Sequence, residues 1–181
     1  SWASPVYYDT YYHGYPCCGS ATTNVYGHYG YTNAAGTQTW YAKSNGTYGV
    51  KGSGSYENTR TGTTGDYSTN RSYNPSTGQQ NDSIDRSYDR ANGATGDVDR
   101  SASYNYDSGK GSYDASRSTT TADGGSVDHD TSASTGDGVS RSTSVTTNSG
   151  QTYGHDSGEQ DGQHYASSDG SVYKSDGAGG W

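Results

Sequence analysis

The chain almost entirely lacks the large aliphatic side chains from which protein cores are built. Its 181 residues include no Leu, Phe or Met, one Ile and eight Val, so the hydrophobic share of 26% consists mostly of Tyr and Ala. Burial of apolar surface supplies roughly 25 cal/mol per Å² and must offset about 1 to 2 kcal/mol of backbone entropy per ordered residue. We therefore expect an isolated copy to lack a dry interior. Order is expected from backbone hydrogen bonds in sheets and from contacts between copies, with Tyr rings supplying apolar area.

Turn signals and the absence of a helical period predict the fold class. No window shows apolar residues at a helical spacing, and the 28 Gly are too closely spaced for helices. In "YNPSTG", Pro75 fixes φ at about −65° and Gly78 accepts the left-handed conformation that closes a turn. The pair Asn45 and Gly46 is a two-residue hairpin signal. The sequence predicts an all-β fold of repetitive short antiparallel strands and turns, a β-meander or β-solenoid-like arrangement with essentially no helix.

The turn signals recur at a nearly constant spacing. From Gly62 through Gly78 and Gly93 to Gly109, each glycine follows the last after about 15 to 16 residues. An Arg-Ser pair, as in "NRSY" and "DRSY", falls between these glycines, which predicts two turns and two short strands per period. In several copies an aromatic residue precedes the Gly by five positions. These predicted turn and repeat positions are Tyr31 and Gly36, Tyr73 and Gly78, Tyr88 and Gly93, Tyr104 and Gly109, and Tyr165 and Gly170.

Composition divides the chain into two regions. Residues 1–50 contain ten of the twenty Tyr but only two charged side chains, Asp9 and Lys43. We interpret residues 1–30 as a Tyr-rich extended arm, with a disordered tail as the alternative. Residues 31–181 are interpreted as a β-repeat region with a period of about 15 to 16 residues, most regular over residues 55–118. An arm of this kind is suited to add a strand to the open sheet edge of another copy.

Charge and hydropathy exclude two classes of partner. The net charge is −8 and the eleven basic residues are scattered singly, whereas nucleic-acid binding needs clustered Lys and Arg. No apolar run approaches the roughly 18 residues of a membrane span. The chain contains no Met, not even an initiator, which we interpret as trimming by removal of a signal peptide. The predicted location is therefore extracellular or at the cell surface.

Two kinds of modification are compatible with an extracellular location. Cys17 and Cys18 are adjacent, so a bond between them would close a strained ring, and we expect them to link copies or to stay as thiols. No second Cys or His pair stands at zinc-ligand spacing. Three Asn-x-Ser/Thr triplets, at Asn45, Asn70 and Asn81, are candidate glycosylation sites, although such triplets arise often by chance in this composition.

Motifs for catalysis and for cofactor binding are missing from the sequence. There is no Gly-x-Ser-x-Gly elbow, no Walker loop and no His triad or His metal motif, so we predict neither an enzyme nor a cofactor. Asp128, Asp130 and Asp137 lie in acidic segments that could gather oxygen ligands for calcium. Their spacing matches no calcium loop, and Asp beside Gly is typical of tight turns. No metal site is predicted.

The motif "YNPSTG", the Tyr-rich front and the ending "DGSVYK…GGW" resemble Tyr/Gly-rich repeat proteins of the bacterial cell envelope, whose repeats read Y-N-P-x-T-G. The similarity covers about residues 25–181, and Tyr73 to Gly78 is the one complete copy. The resemblance implies an extracellular structural role. A separate similarity, in composition, is to Tyr/Gly/Ser low-complexity domains that form labile cross-β fibrils.

The sequence thus leads to two hypotheses of function. The first is a secreted structural subunit that assembles with itself into an extracellular filament or surface coat, through strand pairing between chains and Tyr stacking. The alternative is an extracellular carbohydrate-binding or adhesin module that uses exposed Tyr and Trp on cell-surface glycans. Catalysis has no motif to support it.

Overall fold

The computed structural model describes residues 19–161, 163–168 and 171–174, and these residues confirm an all-β fold. Twelve antiparallel strands form one open sheet whose spatial order follows the chain, which is a meander, and the described residues contain no helix. The strands are β1 (Gly19–Tyr29), β2 (Thr32–Ala42), β3 (Tyr48–Asn58), β4 (Thr63–Asn74), β5 (Gln79–Asp89), β6 (Thr95–Asn105), β7 (Lys110–Thr120), β8 (Ser126–Ser134), β9 (Gly138–Thr146), β10 (Thr152–Gln160), β11 (Gln163–Ser168) and β12 (Ser171–Lys174).

Each period of the sequence repeat is one strand and one turn. Glycines with positive φ close the turns from Gly30 to Gly124 at nearly equal steps along the chain. The prediction of two short strands per period was wrong, because the Arg-Ser segments lie inside strands: "NRSY" is in β4 and "DRSY" is in β5. In these segments Arg and Tyr alternate with Asn or Asp and Ser, as expected for a strand whose successive side chains point to opposite faces of the sheet.

Three of the predicted repeat glycines lie in turns of this meander, and a fourth lies within a strand. Gly78, Gly93 and Gly109 have φ of 65°, 85° and 67° in turns that follow β4, β5 and β6. Gly36 does not lie in a turn: it is in the middle of β2, opposite Gly54 of β3. The β1–β2 turn is formed earlier, at Gly30 and Tyr31, where Gly30 has φ of 60°. Gly170 lies outside the described residues.

The N-terminal region is part of the sheet from residue 19. β1 pairs with β2 along its whole length, from Gly19 opposite Ala42 to Tyr29 opposite Thr32. Of the predicted arm, residues 1–30, the structure describes the part from Gly19, which is strand β1 and is joined to β2 by a hairpin turn at Gly30. Residues 1–18, which include Cys17 and Cys18, lie outside the described residues.

The strand registers give the sheet two faces of different chemistry. Residues directly opposite each other share a face, and successive residues along a strand alternate between faces. On one face, the Tyr–Arg face, lie Tyr29, Trp40, Tyr48, Val50, Tyr56, Tyr67, Arg71, Tyr73, Ile84, Arg86, Tyr88, Val98, Arg100, Tyr104, Tyr113, Arg117, Val127, Val139, Arg141, Val145, Tyr153 and Tyr173. The Ser–Asp face carries the acids Glu57, Asp66, Asp85, Asp89, Asp97, Asp99, Asp114, Asp128, Asp130 and Asp156, with Ser, Thr and Asn between them.

The sheet has little interior. Among the described residues the buried hydrophobic side chains are Tyr88, Ala94 and Val98, while many Tyr are exposed, such as Tyr106 with 59% of its surface accessible. All twelve strands belong to the same sheet, and no second layer of described residues covers either face. The described part of the chain therefore has no sandwiched core, as the shortage of Leu, Ile and Phe predicts.

Candidate interaction faces of the sheet

Tyrosine rings on the Tyr–Arg face lie over glycines of the adjacent strand. Tyr56 of β3 is opposite Gly65 of β4, and a Cβ atom placed on Gly65 would lie 2.7 Å from the Tyr56 Oη. The Tyr56 hydroxyl continues past the glycine and donates a hydrogen bond of 2.9 Å to the Ser87 carbonyl oxygen in β5. Gly65 thus leaves room for a ring that links three strands, which is how an aromatic side chain offsets the weakness of glycine in a sheet.

Tyr88 repeats this arrangement and is the best-covered aromatic side chain among the described residues. It lies opposite Gly96, its hydroxyl is hydrogen-bonded to the Thr119 hydroxyl two strands away, and 5% of its surface is accessible. The guanidinium carbons of Arg90 and Arg117 lie 5.1 and 5.7 Å from its ring centroid, within cation–π range. Burial raises the pKa of Tyr88, but the hydrogen bonds from Thr119 and Arg117 and the two positive charges outweigh it, so the pKa is lower than the ordinary value.

A second aromatic group lies where β3 begins and where β4 and β6 end. The rings of Tyr48 and Tyr73 meet edge to face at 5.8 Å, Tyr73 meets Tyr106 at 5.8 Å, and Tyr106 meets Tyr104 at 4.9 Å. Such edge-to-face pairs add about 0.5 to 1.5 kcal/mol each beyond their buried area. The Tyr106 hydroxyl donates to Gln80 Oε1 at 2.9 Å, which fixes the ring that contacts both Tyr73 and Tyr104. An open groove runs between these rings.

The arginines of the Tyr–Arg face are only partly neutralised within one copy. Arg71 donates from Nε to Asp82 Oδ1 at 3.0 Å, and the guanidinium of Arg86 lies 5.7 Å from the Tyr56 ring centroid. Arg100 and Arg141 are exposed and form no salt bridge with a carboxylate among the described residues. This face therefore presents positive charge that the described part of its own copy leaves unpaired.

On the Ser–Asp face, hydroxyl and carboxylate groups form rows across the strands. One row runs through Ser68, Asp85, Asp99, Ser116, Asp130, Ser142, Asp156 and Ser167. The Ser68 hydroxyl donates to Asp85 at 3.3 Å, and the Ser167 hydroxyl donates to Asp156 at 3.2 Å. Asp85 and Asp99 are direct neighbours. Burial and then the hydrogen bond and negative charge of Asp85 raise the pKa of Asp99.

The candidate calcium residues do not form a metal site. Asp128 and Asp130 lie in β8 on the Ser–Asp face, whereas Asp137 is in the following turn and accepts a hydrogen bond of 2.7 Å from the Ser134 hydroxyl. Among the described residues no group of three or more His, Asp or Glu side chains could hold a metal ion. The Asp137 contact is that of a turn residue.

The candidate glycosylation sites lie in different environments, and all three are exposed. Asn45 is in the turn between β2 and β3, where its side-chain oxygen accepts from the Thr47 amide at 3.1 Å. Asn70 and Asn81 lie within β4 and β5 on the Ser–Asp face. Asn70 also accepts, at Oδ1, a hydrogen bond of 2.9 Å from the Tyr41 hydroxyl.

Comparison with known proteins does not assign the chain to a family. No family model, no curated protein and no solved structure matches it. The resemblance to envelope repeat proteins therefore stays an interpretation of the residues. Within the described residues no helix is long and apolar enough to cross a bilayer.

Proposed function

We propose that this chain is a structural subunit that assembles with copies of itself into an extracellular filament or surface coat. The observation that carries the proposal is a sheet of twelve strands whose buried hydrophobic side chains, among the described residues, are Tyr88, Ala94 and Val98. Among the described strands this open sheet has two edges, β1 and β12, and the edge of a sheet is a template for strands of another chain. Pairing at the edges and contact between exposed Tyr rings supply the apolar burial that one copy lacks.

Edge pairing makes a specific prediction for the assembled material. Strands added at β1 or at the opposite edge continue the sheet, so successive strands repeat at about 4.8 Å along the direction of growth. Electron microscopy of the purified chain should show ribbons or filaments, and diffraction from aligned material should place the reflection of this strand spacing along the filament axis. A monodisperse monomer at tens of micromolar, with no filaments in the micrographs, would refute the proposal.

A second candidate function is carbohydrate binding or adhesion, and the groove among the aromatic rings favours it. Tyr48, Tyr73 and Tyr106 line this groove together with Arg71 and Gln80, a combination of rings and polar groups that suits a sugar. Binding of a soluble glycan by a monodisperse sample, lost in a Tyr73→Ala variant that keeps its β signal, would support this function. Absence of glycan binding, together with filaments in the electron micrographs of the purified chain, would favour the structural subunit.

A further inference from the structure

We propose that copies also stack face to face, with the Tyr–Arg face of one sheet lying on the Ser–Asp face of the next. The proposal rests on the assembly proposed above and adds a second contact between copies. It starts from the segregation of charge between the two faces. In the described strands, every arginine lies on the Tyr–Arg face, and ten of the twelve acidic side chains lie on the Ser–Asp face.

A few charged side chains are exceptions to this segregation, and they do not change the sign of the net charge on either face. On the Tyr–Arg face the acids of the described strands are Asp82, which is paired with Arg71, and Glu159, whose Oε2 lies 3.8 Å from the Nδ1 of His164. On the Ser–Asp face the basic side chains are Lys51, Lys110 and Lys174. The two faces of one copy are therefore complementary to each other, and neither is complementary to itself.

The charges are also in register for a stack of copies that share one orientation. Arg86 follows Asp85 in β5 and Arg100 follows Asp99 in β6, so each pair is offset by about 3.4 Å along its strand and lies on opposite faces. Stacked sheets lie about 10 Å apart. A copy displaced by that distance perpendicular to the sheet points its Arg100 towards the Asp99 of its neighbour. An extended Arg side chain and the facing Asp side chain together span the distance between the two sheets.

The area available for this contact is large enough for a stable interface. Strands of about eleven residues spaced about 4.8 Å apart give the eight strands from β2 to β9 a face of roughly 1,300 Å². Two such faces in contact bury up to about 2,600 Å² in total, above the roughly 1,600 Å² of a standard protein interface. The contact would cover the exposed Ile84, Tyr113 and Val145, which are 44, 39 and 38% accessible in one copy.

A symmetric pair with two Tyr–Arg faces in contact is the competing arrangement, and charge disfavours it. Such a pair would bring the arginines of both copies into one interface with few carboxylates, and burying unpaired charges is costly. Stacking of unlike faces pairs those arginines. It also leaves one face open at each end of the stack, so it continues without a limit in size, whereas the symmetric pair stops at two copies.

Charge reversal on one face at a time tests the stacking. The first variant carries Arg100→Asp and Arg141→Asp on the Tyr–Arg face, and the second carries Asp99→Lys and Asp130→Lys on the Ser–Asp face. Each variant alone faces like charges across the stack, so its threshold concentration for lateral association in sedimentation velocity should rise at least about tenfold. An equal mixture should associate again within about threefold of the unmodified chain, because the two reversed faces attract each other. The matched control, Arg100→Lys with Arg141→Lys, keeps the charge and should associate normally.

The readouts separate failure of the stacking from failure of the assembly. Far-UV circular dichroism checks that each variant keeps its β signal, and diffraction of aligned material records both the reflection between sheets, at about 10 Å, and the reflection between strands, at about 4.8 Å. Filaments with both reflections unchanged in both variants would overturn the stacking and leave edge assembly intact. Normal association of the second variant with an end point at two copies would show the symmetric pair instead. If the unmodified chain stays monomeric, the proposed function itself fails.

Discussion

The glycines under the tyrosine rings make the sharpest prediction about stability, and Gly65→Ala is the test. The new methyl group would lie closest to the Ser87 carbonyl oxygen, and 2.7 and 2.8 Å from the Tyr56 Oη and Cζ, so both the neighbouring backbone and the ring have to shift. Overpacking of this kind costs about 1 to 3 kcal/mol. Loss of the hydrogen bond from Tyr56 to the Ser87 carbonyl adds about 1 kcal/mol. We expect the free energy of unfolding to fall by about 2 to 4 kcal/mol in total.

Gly154→Ala is the matched control, because it lies in β10 with no ring above it. The nearest atom to its added Cβ is the Thr143 oxygen at 3.9 Å, and its φ is not in the left-handed region, so we expect a change between zero and about 1 kcal/mol of stabilisation. Urea unfolding followed by far-UV circular dichroism, at one concentration with the same assembly state, measures both. Equal stabilities of the two variants would refute the reasoning.

The backbone near Gly65 contributes to the same clash, and a double-mutant cycle separates the two causes. The Ser87 carbonyl oxygen is the atom nearest to the position of the added Cβ, nearer than any atom of the ring. In a Tyr56→Ser background the ring is absent, so Gly65→Ala should cost at least about 1 kcal/mol less than in the unmodified chain. An unchanged cost in that background would assign the whole effect to the backbone and contradict the role given to the ring.

Four further substitutions, one of them a control, test the burial of Val98, the turn at Gly93 and the surroundings of Asp99. Val98→Ala removes two methyl groups from a side chain that is 6% accessible and should lower the free energy of unfolding by about 1 to 2 kcal/mol, whereas Ile84→Val at a 44% accessible position should cost less than about 1 kcal/mol. Equal costs of the two substitutions in urea unfolding would contradict the burial of Val98. Gly93→Ala, at φ of 85°, should cost about 1 to 2 kcal/mol, and an unchanged melting temperature would argue against this turn. Burial and the neighbouring Asp85 raise the pKa of Asp99, so its penalty is fully present above that pKa and disappears as pH falls to the ordinary value of 3.8. Asp99→Asn should therefore raise the melting temperature at pH 7 and leave it unchanged at pH 3, and a lower melting temperature at pH 7 would contradict the sign.

The turn chemistry allowed much of the fold to be predicted. Gly78, Gly93 and Gly109 recur at the period of the meander because a residue with positive φ is needed at each reversal. The spacing from Tyr31 to Gly36 is the same as in the copies that end in a turn, but Gly36 lies in the middle of β2. Spacing alone therefore does not identify a turn. A glycine in a turn and a glycine beneath a ring look alike in sequence, and here the Tyr67 hydroxyl occupies the space over Gly36.

The two faces were missed although the sequence contains their signal. In "SIDRSYD", from Ser83 to Asp89, Ile84, Arg86 and Tyr88 alternate with Ser and Asp, and a test for a period of two would have separated them. Which of these side chains meet across strands depends on register, and a slip of one residue would exchange the faces. The Tyr56 to Ser87 hydrogen bond joins residues 31 apart in the chain, so local pattern does not predict it.

We propose that one copy of this chain cannot stay folded alone and that its order is shared among copies. One dilution series from about 100 to 1 μM, with each sample measured by both sedimentation velocity and far-UV circular dichroism, tests it most directly. We predict that the β signal decreases over the same concentration range in which the assemblies dissociate, because the described part of the dissociated sheet buries little beyond Tyr88, Ala94 and Val98. A monodisperse monomer that keeps its full β signal at the lowest concentration of the series and unfolds cooperatively would contradict the claim.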